Sequence, residues 1–236
     1  MLAALLFIEY VHCQNRVTKW VTLNMLISLS ERFIFVANLK SGSTSIEKAL
    51  RGYAEIALVE SRFLKHAYFS DIQLRFRWVF DIIPRDQWFI FGVMRNPIDY
   101  MISLYNSHQD PKFKDSPELY TGEISFDDFL NDWTIQNADQ VIQQYTRFLD
   151  KEGQVALNYI VSYNKIETGW NFVRERIGIR DVADLPKENE SYGRHSRSEI
   201  TESQRKWIEA RFPDDFLMLN QYCDRILAPG TQFKRE

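Results

Sequence analysis

Arg32 to Ser45 reads RFIFVANLKSGSTS, an apolar run of strand length that breaks into a lysine, a glycine and four hydroxyl residues. The apolar part is short enough for a buried strand, and Ser45 to Tyr53 (SIEKALRGY) opens a helical stretch directly after it. The local order is therefore strand, loop, helix. At such a junction several backbone N–H groups and the positive end of the helix dipole converge, so the loop can hold one anion. Gly42 lets the backbone approach closely, Ser41, Ser43, Thr44 and Ser45 add donors, and Lys40 supplies a full positive charge. The same residues also suit an ordinary capped turn, because Ser, Thr and Gly favour that position for conformational reasons alone.

The pattern recurs further along. Trp88 to Met94 (WFIFGVM) is a second apolar run, and it stops at Arg95-Asn96-Pro97 before IDYMISLYNSH, where Ile98, Ile102 and Tyr105 share one helical face. Proline at the first helical position with Asn96 before it is a helix start signal. Arg95 then sits at the carboxyl end of a strand, where ligands of open α/β sheets collect. An arginine grips a phosphate by two parallel hydrogen bonds, which a lysine cannot do. Ser103 follows on the helix face of Asp99. Taken singly, Arg95 fits a surface salt bridge and Ser103 an ordinary helix hydroxyl.

The remaining chain fills in around these units. Residues 60–87 read as mainly helical, residues 109–122 as a loop, and Ser125 as the cap of a helix FDDFLNDW. The polar segment with Gln140, Gln143 and Gln144 suggests one more helix. Arg147 to Ile160 reads as two short strands around a Glu152-Gly153 turn, and Glu167 to Ile177 as a helix burying Trp170, Val173 and Ile177. Leu185 to Ser198 is polar and loop-like, and Thr201-Glu202 begins a helix that ends before Pro213, with a short helix after it. Strands alternating with helices imply an α/β fold, a P-loop-like three-layer core with a mainly parallel central sheet flanked by helices. The expected division is an N-terminal helical extension over residues 1–31 and a single domain over residues 32–236. The apolar start, Leu2 to Ile8, reads as a packed helix or as the remnant of a targeting segment, and it is too short to span a bilayer. Trp133, Trp170 and Trp207 each lie in a helical apolar pattern and are expected to fill the core.

Composition narrows the function classes. A chain of 236 residues with 45% hydrophobic and 14% aromatic content can bury a substantial core, and its net charge of -3 is spread without a basic stripe for a nucleic-acid backbone. Cys13 and Cys223, the two cysteines, are too few for a disulfide framework or a Cys-based zinc site, which fits a reducing cytoplasm. A nucleoside triphosphate loop of the form G-x-x-x-x-G-K-[ST] places its lysine after the glycines, whereas Lys40 precedes Gly42 and no second glycine follows. A small-molecule kinase of the P-loop type is therefore disfavoured. A non-catalytic nucleotide-binding protein of the same fold is a further alternative, and the completeness of both loops speaks against it.

The order lysine, serine, glycine, Ser-Thr-Ser after a strand resembles the 5′-phosphosulfate loop of the sulfotransferase superfamily, with Leu39 where many members have proline. Arg95 to Tyr105 resembles the 3′-phosphate motif of that superfamily, with Tyr100 where many members carry a second arginine. Leu157 to Ile160, Asn164 to Trp170, Arg176 to Ile179, Leu185-Pro186 and Asn189 extend the likeness, which runs from about residue 32 to 222 and points to the carbohydrate (2-O-sulfotransferase-like) and bacterial branch. The resemblance implies 3′-phosphoadenosine 5′-phosphosulfate (PAPS) as co-substrate, its product PAP, and an acceptor hydroxyl or amine on a small molecule or glycan. It implies that Lys40 with residues 41–45 seats the 5′ end and that Arg95 with Ser103 seats the 3′-phosphate. No metal, no nucleic acid and no membrane span are expected, the expected location is a bacterial cytoplasm, and the oligomeric state is left open. Among His12, His66, His108 and His195, His66 is the expected general base by likeness to the histidine of hexuronic-acid 2-O-sulfotransferases, or else a helix-starting residue without catalytic duty. Arg194, His195 and Arg197 read either as a basic lid or as a solvated loop balanced by Glu188, Glu190 and Glu199.

Overall fold

Strand β1 (Met25–Ser28) turns back through residues 29–32 into β2 (Phe33–Val36), and both strands are buried along their whole length. The structure, a computed structural model, describes residues 25–58, 68–179, 185, 193 and 195–235. After β2 come α1 (Ser43–Leu50), β3 (Ile56–Leu58), α2 (Phe69–Arg75), α3 (Arg77–Ile82), β4 (Phe89–Met94) and α4 (Pro97–Ser107). A helical segment follows as α5 (Phe126–Asp128), a π-helical turn (Phe129–Trp133) and α6 (Thr134–Gln136). The chain ends through β5 (Gln154–Val155), β6 (Tyr159–Ser162), α7 (Ile166–Ile177), α8 (Glu202–Arg211), α9 (Pro213–Tyr222) and β7 (Thr231–Gln232).

The central sheet has five strands in the order β3-β1-β2-β4-β6. β2, β4 and β6 run parallel, while β1 is antiparallel to both β2 and β3, so β1 alone opposes the common direction. The sheet is thus mixed rather than purely parallel. Its apolar runs lack alternation because both faces are covered. Ile34, Val36, Ile90 and Met94 pack towards α2, α3 and α9 on one side. Phe33, Phe35, Phe91 and Val93 pack towards α1 and α7 on the other. Gly92 is required by this packing, since a Cβ there would lie 2.7 Å from the Phe148 ring. Trp133 and Trp170 are buried, and Trp207 packs at the edge of the third apolar cluster, built on α4.

Three expectations are corrected. The domain begins before residue 32, because Met25–Ser28 pairs with both β2 and β3 instead of belonging to a helical extension; the stretch from Leu2 to Ile8 lies outside the described residues. The segment around Gln140 and Gln144 is not an α-helix but a turn followed by a 3-10 helix, Gln144–Phe148. Its backbone amides are instead taken by Asp215, at 3.0 Å from Gln144 N–H and 2.8 Å from Tyr145 N–H. Around Gly153, Leu149 does bridge to Val155, but β5 joins β7 in a separate two-stranded sheet and only β6 enters the central one. Among the described residues no helix is long and apolar enough to cross a membrane.

Candidate functional site

The three parallel strands end at one edge, and each hands over to a residue of the site: β2 to the loop from Asn38 to Gly42, β4 to Arg95, β6 to Tyr163. Within the first loop, Lys40 and Gly42 both have left-handed backbones, with φ of 57° and 74°. For a lysine this conformation costs about 1 kcal/mol or more and persists only where its surroundings fix it. The Arg95 guanidinium does so, donating from Nη1 to the Lys40 carbonyl at 3.0 Å. Gly42 faces the third strand end, since a Cβ on it would lie 2.9 Å from the Tyr163 ring. Arg95 itself lies over that ring at 4.4 Å. The lysine loop and the arginine are therefore in direct contact.

The hydroxyls divide into two groups. Ser41 is fully buried, and its Oγ donates to the Asn38 carbonyl at 2.9 Å. Ser43 Oγ lies 2.9 Å from the same carbonyl and accepts from Asn38 N–H at 3.0 Å. Both therefore brace the loop, and its inward hydroxyls are not aimed at open space. Thr44 and Ser45 lie in the first turn of α1, where Gly42 offers no side-chain cap and no acidic residue is present. Ser45 N–H already donates to the Gly42 carbonyl at 3.1 Å, and the N–H groups ahead of it, with no side-chain cap, are the ones an anion can use.

The electrostatics match that use. Burial, then the charges of Arg95 and Lys112, pull the Lys40 ammonium down from 10.5 to about 8. Burial also lowers the Arg95 guanidinium, and its Nε is buried without a hydrogen-bond partner among the described residues. Two concentrated cations and an orphaned donor fit a ligand carrying phosphate groups.

Ser103 is buried on α4, one turn beyond Asp99. Asp99 holds Arg197 at 3.2 Å, and Asn106 pairs with the His195 backbone through both its amide atoms, at 3.1 and 2.7 Å. This end of the basic loop is docked on α4 beside Ser103, with Arg197 paired to Asp99. Glu199 caps Ser196. His66, Arg194, Glu188, Glu190, Pro186 and Asn189 lie outside the described residues. His195 stacks on Phe126 at 4.6 Å. His108 caps α4 with Nδ1 at 3.0 Å from the Leu104 carbonyl; burial foremost, with Lys40 and Lys112, holds it down at about 4, so its imidazole is neutral near pH 7. Tyr100 is core: its hydroxyl accepts from Ile142 N–H at 3.0 Å and burial raises its pKa.

Sequence inspection missed Asn38, Gln144 and Tyr163. Tyr163 was within reach of the strand-end rule. Gln144 carried no signal, since its role depends on chain distant in sequence. Among the described residues no cluster of three His, Cys, Asp or Glu side chains has metal-binding geometry.

The chain is thus a mixed α/β protein whose Lys40 loop and Arg95 meet at the carboxyl edge of the parallel strands, where ligands of such sheets collect. The model of the sulfotransferase family matches residues 24–222, and the chain belongs to that family. It is a transferase of sulfuryl groups, requiring a sulfate donor and an acceptor. Comparison with curated proteins and with solved structures returns no significant match.

Proposed function

We propose that the chain moves a sulfuryl group from PAPS to a hydroxyl or amine, on a carbohydrate or glycoconjugate acceptor, using the loop from Lys40 to Ser45 as a P-loop-like phosphate cradle. The observation that carries this is the contact of the Arg95 guanidinium with the Lys40 carbonyl, which puts the two cationic loops within reach of one ligand. PAPS supplies an activated sulfuryl group and leaves as PAP. Lys40 and the N–H groups at the start of α1 ahead of Ser45 hold the 5′-phosphate end and stabilise the negative charge that grows there as the sulfuryl group departs. Arg95 and Ser103 hold the 3′-phosphate, and Ser41 and Ser43 keep the loop in shape. His66 takes the acceptor proton, a task that imidazole side chains commonly perform. No metal is assigned a part, since a sulfuryl group carries less charge than a terminal phosphoryl and Lys40 and Arg95 already provide two cations.

The reading is tested by thermal shift with PAP, AMP and ATP at equal concentration. Stabilisation by PAP far above AMP and ATP is expected. Equal shifts with PAP and AMP would remove the 3′-phosphate pocket, and a preference for ATP would favour the kinase alternative. His66→Ala is expected to abolish turnover while PAP binding persists; unchanged turnover excludes His66 as the base, whereas activity lost together with PAP binding makes it a structural residue.

A further inference from the structure

We infer that Gln144 is a positioning residue that locks the two phosphate loops to each other, so that the grip on one end of the nucleotide sets the grip on the other; this rests on the reading of the site as a PAPS site. Gln144 is fully buried. Its side-chain amide pairs with the Arg95 backbone in both directions, Oε1 accepting from Arg95 N–H at 2.9 Å and Nε2 donating to the Arg95 carbonyl at 2.8 Å. This is the pattern of a β-ladder, continued by a side chain one residue beyond the end of β4. The backbone carbonyl of Gln144 accepts from Asn38 Nδ2 at 3.4 Å.

Asn38 is the residue on whose carbonyl Ser41 and Ser43 converge. The circuit then closes: Arg95 donates to Lys40, two residues along from Asn38. A single glutamine thus fixes the backbone from which the guanidinium springs and the root of the lysine loop. Its own position is set by Asp215, fully buried in the first turn of α9, which accepts from Gln144 N–H. Glutamine alone suits the place, because the Arg95 peptide presents one donor and one acceptor and only a primary amide of this length answers both.

The test compares Gln144→Met, which keeps the volume without either hydrogen-bonding group, with Arg95→Ala and the double variant. PAP and AMP affinities are measured by calorimetry on the whole chain, with Gln144→Glu as a second variant that retains the accepting oxygen and loses the donor. Gln144→Met is expected to weaken PAP about tenfold or more and AMP far less, as two lost hydrogen bonds imply. The double variant is expected to bind PAP no more weakly than Arg95→Ala alone. Equal losses for PAP and AMP, or losses that add in the double variant, would overturn the inference.

Amide hydrogen exchange of the ligand-free protein gives a readout that needs no nucleotide. Faster exchange in both loop peptides, around Asn38 and Arg95, is expected in Gln144→Met and Gln144→Glu; exchange unchanged in either loop refutes the lock. A wild type that fails to prefer PAP over AMP defeats the PAPS reading, and the exchange result then decides separately whether Gln144 joins the loops.

Discussion

Lys40→Met is expected to lower turnover by about two to three orders of magnitude, the usual consequence of removing one preorganised charge from a developing anion. The same change is expected to leave the melting temperature unchanged or higher. Burial and two neighbouring cations burden the ammonium, holding it at about 8, and methionine carries no charge to burden. Function and stability should therefore move in opposite directions, as at sites strained for a purpose. The pH dependence follows with its sign. The ligand-free lysine is charged below about 8 and neutral above, and a bound phosphate favours the charged form. PAP binding then takes up a proton at alkaline pH, and affinity falls as pH rises through about 8. Calorimetry from pH 7 to roughly 10 should show this decline in the wild type and lose it in Lys40→Met. A flat wild-type profile removes Lys40 from the phosphate site.

Arg95→Ala is expected to weaken PAP about a hundredfold while AMP affinity changes far less, the loss of a buried, charge-assisted pair of hydrogen bonds. A second effect reaches beyond the 3′ end. The guanidinium also braces the Lys40 carbonyl, so its removal frees the left-handed backbone at Lys40. Turnover at saturating donor should fall as well. Arg95→Lys should not restore either property, because a single ammonium cannot lie over Tyr163, reach the Lys40 carbonyl and fork onto a phosphate together. Steady-state kinetics and PAP titration on the same preparations check this, and full rescue by lysine would contradict it.

The two strand-loop-helix units were legible because each carries its own punctuation. Lys40 to Ser45 and Arg95 to Pro97 stop an apolar run and start a helix within a few residues, and Asn96 does cap α4, accepting from Ile98 N–H at 3.0 Å. β3 was not legible, since three residues, Ile56 to Leu58, are too few to show a period. The Gln140 to Gln144 segment misled for a different reason. Glutamine is a good helix former in isolation, but Asp215 and Arg95 claim the Gln144 amides, and tertiary partners override propensity. Likewise Ser41 and Ser43 were recognisable as loop residues, whereas their turn inward to Asn38 depends on a buried carbonyl that no spacing rule reveals.

An experimentally determined complex with PAP tests the central proposition most directly. One PAP molecule should lie across the carboxyl edge of β2 and β4, its 5′-phosphate at hydrogen-bonding distance from the Lys40 ammonium and the first N–H groups of α1, its 3′-phosphate equally close to Arg95 and Ser103. PAP held at one end only, or bound at another edge of the sheet with Lys40 and Arg95 untouched, would contradict the account.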